Sequence, residues 1–443
     1  MTAPPPPPPP PPPQAPSPTV IRTLYRVFVN GADRMTTFGP NERGSYPVEA
    51  QVYYVPDQMA SNRTTLNRLI NAGGIDHADA IGTLNGYSVD QPIGYPWTNS
   101  SIPALVPILE GLNSLTGDYA MVAPRETLPG YTAQPLPAYG YPRYGNADEV
   151  LLILSAGGVT VQSNAVAGGA LWRWFWNGVQ FVNNADYGRQ IQADFYYPAS
   201  QNYNPTEAGD FYHRSDPILA HGSPLLMFEN QGTTQITRAV PLNWDPTVFG
   251  GDPDHPVIWD QLVIGKDLTL DFNNMGSVAK YTTHLVLPTA TEGTYEAPVV
   301  FLSSNFNRFW TYDAQAKTLS EVTSRMPSGC SATQPTFVYL THFGGDIISD
   351  ASGANAMGVY GVDDASGGSV NFWNMGDFRC WGDGPGESAG DTVTIAAVKG
   401  GFGGNNNNFL FPAGESTYNV YLISDTLQNV TAQMDRLFGM GVH

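Results

Sequence analysis

Apolar positions between residues 24 and 142 recur in three blocks, in a pattern of short β segments rather than helices. The blocks open at Leu24-Tyr-Arg-Val-Phe28, Leu66-Asn-Arg-Leu-Ile70 and Leu105-Val-Pro-Ile-Leu109. An aspartate follows each opening, at Asp33, Asp76 and Asp118. Each block closes on two tyrosines: Tyr46 and Tyr54, Tyr87 and Tyr95, Tyr131 and Tyr139. Between the tyrosines a polar residue stands at a fixed offset, as Glu49, Asp90 and Gln134. The period of about 40 residues is too short for one copy to bury its own apolar face. Three copies are therefore expected to close on a shared core over residues 20–143.

From residue 147 onward the pattern is that of one large β domain, 147–443. Val150-Leu-Leu-Ile-Leu154, Val159-Thr-Val161, Leu285-Val-Leu287, Val299-Val-Phe-Leu302 and Val393-Thr-Ile395 are strand candidates, punctuated by Gly, Pro, Asn and Asp. Asn177-Gly178, between aromatic and β-branched residues, predicts a tight hairpin. Trp172, Trp174 and Trp176 share one parity, so a continuous strand would turn all three to one face, either a core layer or a binding platform. Helical spacing is confined to 424–437, where Leu427, Val430, Met434 and Leu437 fall on one side. The predicted fold is all-β: a β-trefoil-like module followed by a two-sheet β-sandwich.

Composition agrees with this. Charged residues make up only 13% and aromatics 12%, and there are 47 glycines and 38 prolines. The net charge of -19 disfavours nucleic acid and anionic membrane surfaces as partners. No apolar run reaches membrane-spanning length, so no membrane insertion is expected. Pro4 to Pro13 predicts an extended polyproline rod within a tail over 1–19. Such a tract next to Met1 is expected of a linker from which a secretion signal has been removed, which would make the protein extracellular. Cys330 and Cys380 are too few for a disulfide framework.

The repeat pattern resembles the YRLYN…DH…GY…EG…GY repeats found beside secreted bacterial hydrolases. Three such units look like a β-trefoil. The resemblance implies a ligand pocket built from an Asp-His pair and a later acid. Only the middle copy keeps the pair, as Asp76-His77 with Asp90; the others read Asp33-Arg34 and Asp118-Tyr119. One intact pocket is the most it implies. The run Gly157-Gly158…Gly168-Gly169-Ala170, followed by Trp176 to Asn184, resembles galactose-mutarotase-like sandwiches. These occur in sugar epimerases, glycoside hydrolases and polysaccharide lyases.

Candidate chemistry concentrates in residues 168–210. Glycoside hydrolysis needs two carboxyl groups in different protonation states. Glu207, in the Asn204-Pro-Thr-Glu-Ala-Gly209 loop, is the expected general acid, with Asp186 or Asp260 as base or nucleophile. Arg189, Gln190, Tyr187, His213 and the tryptophans Trp172, Trp174 and Trp176 would position sugar, with Asp76, His77 and Asp90 binding it in the first half. The scattered histidines give no metal-ligand spacing, so no metal or cofactor is expected beyond a structural calcium in a loop. There is no phosphate loop and no G-x-G-x-x-G nucleotide fingerprint. The expected function is that of a glycoside hydrolase carrying a glycan-binding module. The alternatives are a lyase acting on a uronate-containing polysaccharide and a non-catalytic glycan-binding surface protein.

Overall fold

The computed structural model describes residues 18–31, 33–39, 45–102, 104–124, 126–145, 151–183, 190–196, 204–210, 221–325, 336–340, 344–363, 372–377, 393–399 and 409–442. The first half consists of three copies of one antiparallel unit, each with its first strand in the middle. In copy one, β1 (Thr19–Val29) lies between β2 (Asp33–Thr37) and β3 (Val48–Pro56). In copy two, β4 (Leu66–Asn71) lies between β5 (His77–Ile81) and β6 (Tyr87–Gly94). In copy three, β7 (Val106–Leu112) lies between β8 (Tyr119–Val122) and β9 (Thr132–Gly145).

An asparagine closes the first turn of each copy. Asn71 Oδ1 accepts from the N–H groups of Gly73 (3.1 Å) and Ile75 (3.2 Å), and Asn113 Oδ1 from those of Leu115 (3.0 Å) and Thr116 (3.4 Å). In copy one Asn30 itself adopts a positive φ of 50° before Gly31.

Strand register defines which positions correspond. Phe28 faces Arg34, Ile70 faces His77, and Leu112 faces Tyr119. Counting back four residues places Leu24, Leu66 and Ile108 together, and all three are wholly buried in one core with Tyr53, Ile93 and Met121. The third copy thus begins three residues later than its apolar run suggests. Leu105 packs elsewhere, against Val240, Leu242 and Ile258 of the second half.

The second half is a sandwich of two antiparallel sheets. One runs through Leu151–Ala156, Val159–Asn164, Leu171–Trp176, Ile191–Tyr196, Thr291–Leu302, Val393–Lys399, Phe372–Asp377 and Thr336–Leu340. The other runs through Leu225–Gln231, Thr234–Ala239, Val263–Thr269, Val278–Leu287, Asn419–Asp425, Ala356–Asp363, Gly344–Asp350, Phe306–Asp313 and Thr318–Glu321. Val161, Trp174, Phe195 and Tyr295 of the first meet Leu268, Tyr281, Val359 and Leu422 of the second in the main core.

The hairpin at 176–179 forms as its sequence predicts: Asn177 and Gly178 both have positive φ (48° and 76°), and Trp176 pairs with Val179. The shared parity of the three tryptophans does not survive. A bulge shifts the register between Gln162 and Ser163, opposite Trp172. Trp174 therefore points into the main core, donating from Nε1 to Ser424 Oγ at 3.0 Å. Trp172 is buried in a separate cluster with Val166, Ala170 and Ala208, and Trp176 packs on the edge of the main core. They form no exposed platform.

The C-terminal helix, Leu427–Gly439, adds a third layer. Val430, Met434 and Leu437 are buried against Tyr312, Ile347, Tyr360 and Ile423 on the outer face of the second sheet. Its N-cap is Thr426, whose hydroxyl accepts from the Asn429 N–H at 3.2 Å. Thr426→Ala is expected to lower stability by about 1 kcal/mol, read from the midpoint of denaturant unfolding.

The repeats are joined to the sandwich by more than the connecting chain. Thr19 and Val20 extend the sandwich sheet by pairing with Ile258 and Val257. Ile21, Tyr54, Trp97 and Tyr141 share a buried cluster with Val240, Leu242 and Ile258. Arg143 Nη1 (2.7 Å) and the Tyr54 hydroxyl (3.1 Å) both donate to the Gly222 carbonyl.

Candidate functional site

The second strands of the three copies, β2, β5 and β8, lie against one another. This brings together the aspartates at or just before their starts: oxygens of Asp33, Asp76 and Asp118 lie within 4.8 Å of one another. Tyr87 and Tyr131 donate short hydrogen bonds to Asp76 and Asp118. Burial, then the field of Asp33, holds Asp118 above the usual carboxylate range. A hard cation such as calcium would find its oxygen ligands in this trio.

Beside Asp33, between copies one and two, is a cavity of about 620 Å³. Val29, Met35, Ile70, Ile75 and Tyr46 give it an apolar and aromatic wall. Its polar groups are Asp33, Ser45, Arg68, His77 and Asp90. Asp33 reaches across the copies to hold the histidine, accepting at Oδ1 from the His77 N–H (3.2 Å) with Oδ2 2.5 Å from His77 Nδ1. Arg68 donates from Nε to Asp90 Oδ2 at 2.6 Å and from Nη1 to the Thr36 carbonyl at 3.4 Å.

The corresponding places around the pseudo-threefold axis are filled by side chains. Between copies three and one, Arg34 stands where His77 stands. Its guanidinium lies 5.1 and 5.3 Å from the ring centres of Phe28 and Tyr131. It donates to Glu49 at 2.9 and 3.1 Å and lies 3.7 Å from Asp118. Between copies two and three the position belongs to Tyr119, packed edge-on against Tyr87 at 5.9 Å. The smaller histidine of the Asp-His pair leaves the first of these places open.

Another substitution breaks the pseudosymmetry below the axis. Arg26 and Arg68 occupy equivalent positions on β1 and β4, and β7 has Glu110 there. Glu110 accepts from the Asp79 N–H at 2.5 Å. Burial, reinforced by Asp79, pushes the Glu110 carboxyl up to about 8. Burial likewise lifts Asp79 to about 6.

Of the residues expected to bind sugar in the first half, His77 and Asp90 thus line the cavity, and Asp76 lies beside it in the acidic trio. Arg68 and Tyr46 complete it. The arginine was visible in the openings Leu24-Tyr-Arg and Leu66-Asn-Arg, where it recurs at the same place.

In the sandwich the structure removes Glu207 from the expected catalytic set. Glu207 is wholly buried. Its Oε1 pairs with Lys266 and accepts from Thr237 Oγ1 (3.0 Å), and its Oε2 accepts from the Ala193 N–H (3.2 Å). It offers no surface to a substrate. The small residues after it make room for the chain itself: Gly209, with φ of 94°, packs directly on the His221 backbone. Asp260 belongs to a different network at the junction with the repeats, accepting from Thr19 Oγ1 at 3.2 Å, and burial raises its pKa. Gln190 is also wholly buried. Asp186, Tyr187, Arg189 and His213 lie outside the described residues, as do Cys330 and Cys380.

The sandwich has a different pair of carboxyls side by side. Asp194 and Glu296 are direct partners across Ile191–Tyr196 and Thr291–Leu302. They are 5% and 4% exposed, and Asp194 Oδ1 and Glu296 Oε1 have no hydrogen-bond partner among the described residues. Burial raises both, Glu296 to about 8, and the Glu296 charge adds to the rise at Asp194. At neutral pH the pair therefore holds at least one proton.

No protein-family model matches the chain, and no curated protein matches it in sequence. Among solved structures, it is similar to a putative aldose 1-epimerase from Escherichia coli K12, at 10% identity and a TM-score of 0.37, over 63% of this chain and 99% of that one. A galactose mutarotase related enzyme from Lactobacillus acidophilus gives 9% identity and a TM-score of 0.37, over 63% of this chain and 98% of that one. A 4-alpha-glucanotransferase from Thermococcus litoralis gives 9% and 0.32, over 62% of this chain and 37% of that one. At this depth neither activity nor ligand transfers from them.

Proposed function

We propose that this chain is a carbohydrate-binding protein whose sugar site is the cavity between copies one and two of a β-trefoil-like module. The observation that carries the reading is the composition of that cavity. A pyranose has one apolar face and a rim of hydroxyls. The cavity matches it with an aromatic and aliphatic wall, Tyr46, Met35 and Ile70, facing fixed donors and acceptors on Arg68, His77 and Asp90. Its volume of about 620 Å³ falls in the range of small-ligand sites. Tyr46→Ala and Asp90→Ala are each expected to weaken oligosaccharide binding about tenfold. Isothermal titration against a glycan panel checks this, and unchanged affinity in both variants overturns it.

One observation favours a second reading, glycoside hydrolysis by the sandwich. Asp194 and Glu296 are adjacent carboxyls that share at least one proton at neutral pH, and in this reading they take the place of Glu207 with Asp186 or Asp260. Release of new reducing ends by the wild type, abolished in Glu296→Gln, supports it. Release that persists in Glu296→Gln sinks it.

A further inference from the structure

We infer that the cavity selects a glycan unit carrying a protonated amine, that is, an amino sugar. This rests on the glycan-binding reading above and narrows it. The reason is the occupant of the equivalent place one copy away. There the Arg34 guanidinium, a cation, sits against the Tyr131 and Phe28 rings and is held by Glu49, 2.9 and 3.1 Å away, with Asp118 at 3.7 Å. Strand register and place in the repeat map each of those partners onto the open cavity: Tyr131 onto Tyr46, Phe28 onto Ile70, Glu49 onto Asp90, Asp118 onto Asp33. The tyrosine and both carboxylates are kept, with Glu49 shortened to Asp90, while Phe28 gives way to Ile70 and the cation to the shorter His77. The protein thus contains a filled copy of its own open site, and the filling is a positive group between two carboxylates.

Charge balance gives the same answer. Arg68 is engaged by Asp90, while three carboxylates, Asp33, Asp76 and Asp118, lie within 4.8 Å of one another with His77 on Asp33 and Arg34, 3.7 Å from Asp118, against them. A uronate carboxylate would face this acidic floor, whereas an ammonium would replace part of what Arg34 supplies next door. An N-acetylated sugar retains the ring contacts and loses the charge.

The test is isothermal titration of the full chain with three oligosaccharides of equal length, at a pH where the amine is protonated. These are a glucosamine oligomer, its N-acetylated counterpart and an oligogalacturonate. The glucosamine oligomer is expected to bind about tenfold tighter than the N-acetylated one, as one charge-assisted hydrogen bond implies. The oligogalacturonate should bind most weakly. Added salt and Asp90→Asn should narrow the preference, and Glu229→Gln, which removes a charge on the sandwich surface, should leave it intact. His77→Arg supplies the built-in cation in a setting where Arg34 already shows it fits. That variant should fold normally and lose binding.

Equal affinity for the glucosamine and N-acetylated oligomers overturns the amine inference and leaves glycan binding standing. Absence of binding by all three overturns both. Binding that disappears with EDTA and returns with calcium also overturns the inference, because the acidic trio would then be serving a metal.

Discussion

Lys266→Met is expected to lower the unfolding free energy by about 3–5 kcal/mol, because it leaves a carboxylate in the interior without its counter-ion. Both side chains of the Lys266–Glu207 pair are fully buried. Burial pulls the lysine pKa down and the carboxylate of Glu207 works against that fall. The pair links distant parts of the sandwich. Lys266 Nζ donates to the Gly169 carbonyl at 2.9 Å, while Glu207 accepts from Ala193 in one sheet and Thr237 in the other. Adding Glu207→Gln to Lys266→Met removes the stranded charge and is expected to recover most of the loss. Denaturant titration of the two variants checks this, and an equal loss in both would show that charge is not the cause.

The second large effect is a decline in stability from mildly acidic to alkaline pH. Glu296 rises from its ordinary 4.5 to about 8 in the folded protein, and Asp194 rises with it. Across this interval the folded state binds more protons than the unfolded state, so stability falls as pH rises. The contribution is complete below the unfolded carboxyl pKa values and is lost as pH passes about 8. Glu110 and Asp79, raised to about 8 and about 6, act in the same direction. Glu126, Asp267 and Asp350 are held below their ordinary values, despite burial, by hydrogen bonds and, for the first two, neighbouring charges. Their contribution is lost on the acid side instead. Glu296→Gln should flatten the decline between pH 5 and 8 in unfolding curves taken at a series of pH values. An unchanged slope would mean that the pair is not buried with its proton.

Much of this was written in local sequence. Asn177-Gly178 can form only a tight turn, and the spacing of Val430, Met434 and Leu437 marks the buried side of the helix. His77 and Asp90, which line the cavity, were legible because they lie within one copy; Asp33, which completes it, comes from the copy before. Arg34 and Tyr119, which close the equivalent places, follow the corresponding aspartates. What local pattern missed depends on distant pairing. Ile108 rather than Leu105 opens the third copy because strand register, not apolarity, aligns it. A bulge opposite Trp172 breaks a parity that the sequence alone suggests is continuous. Glu207 has the surroundings of a loop acid until Lys266, 59 residues away, enters the interior beside it. Asp194 and Glu296 become neighbours only when their strands pair.

The most direct test of the binding site is a crystal structure of the full chain grown with the glucosamine oligomer. The expected result is a sugar ring in the cavity, one face on Tyr46, with its ammonium between Asp90 and Asp33 where the neighbouring copy holds Arg34. A ring bound against the sandwich, with the cavity between copies one and two left unoccupied, would contradict it.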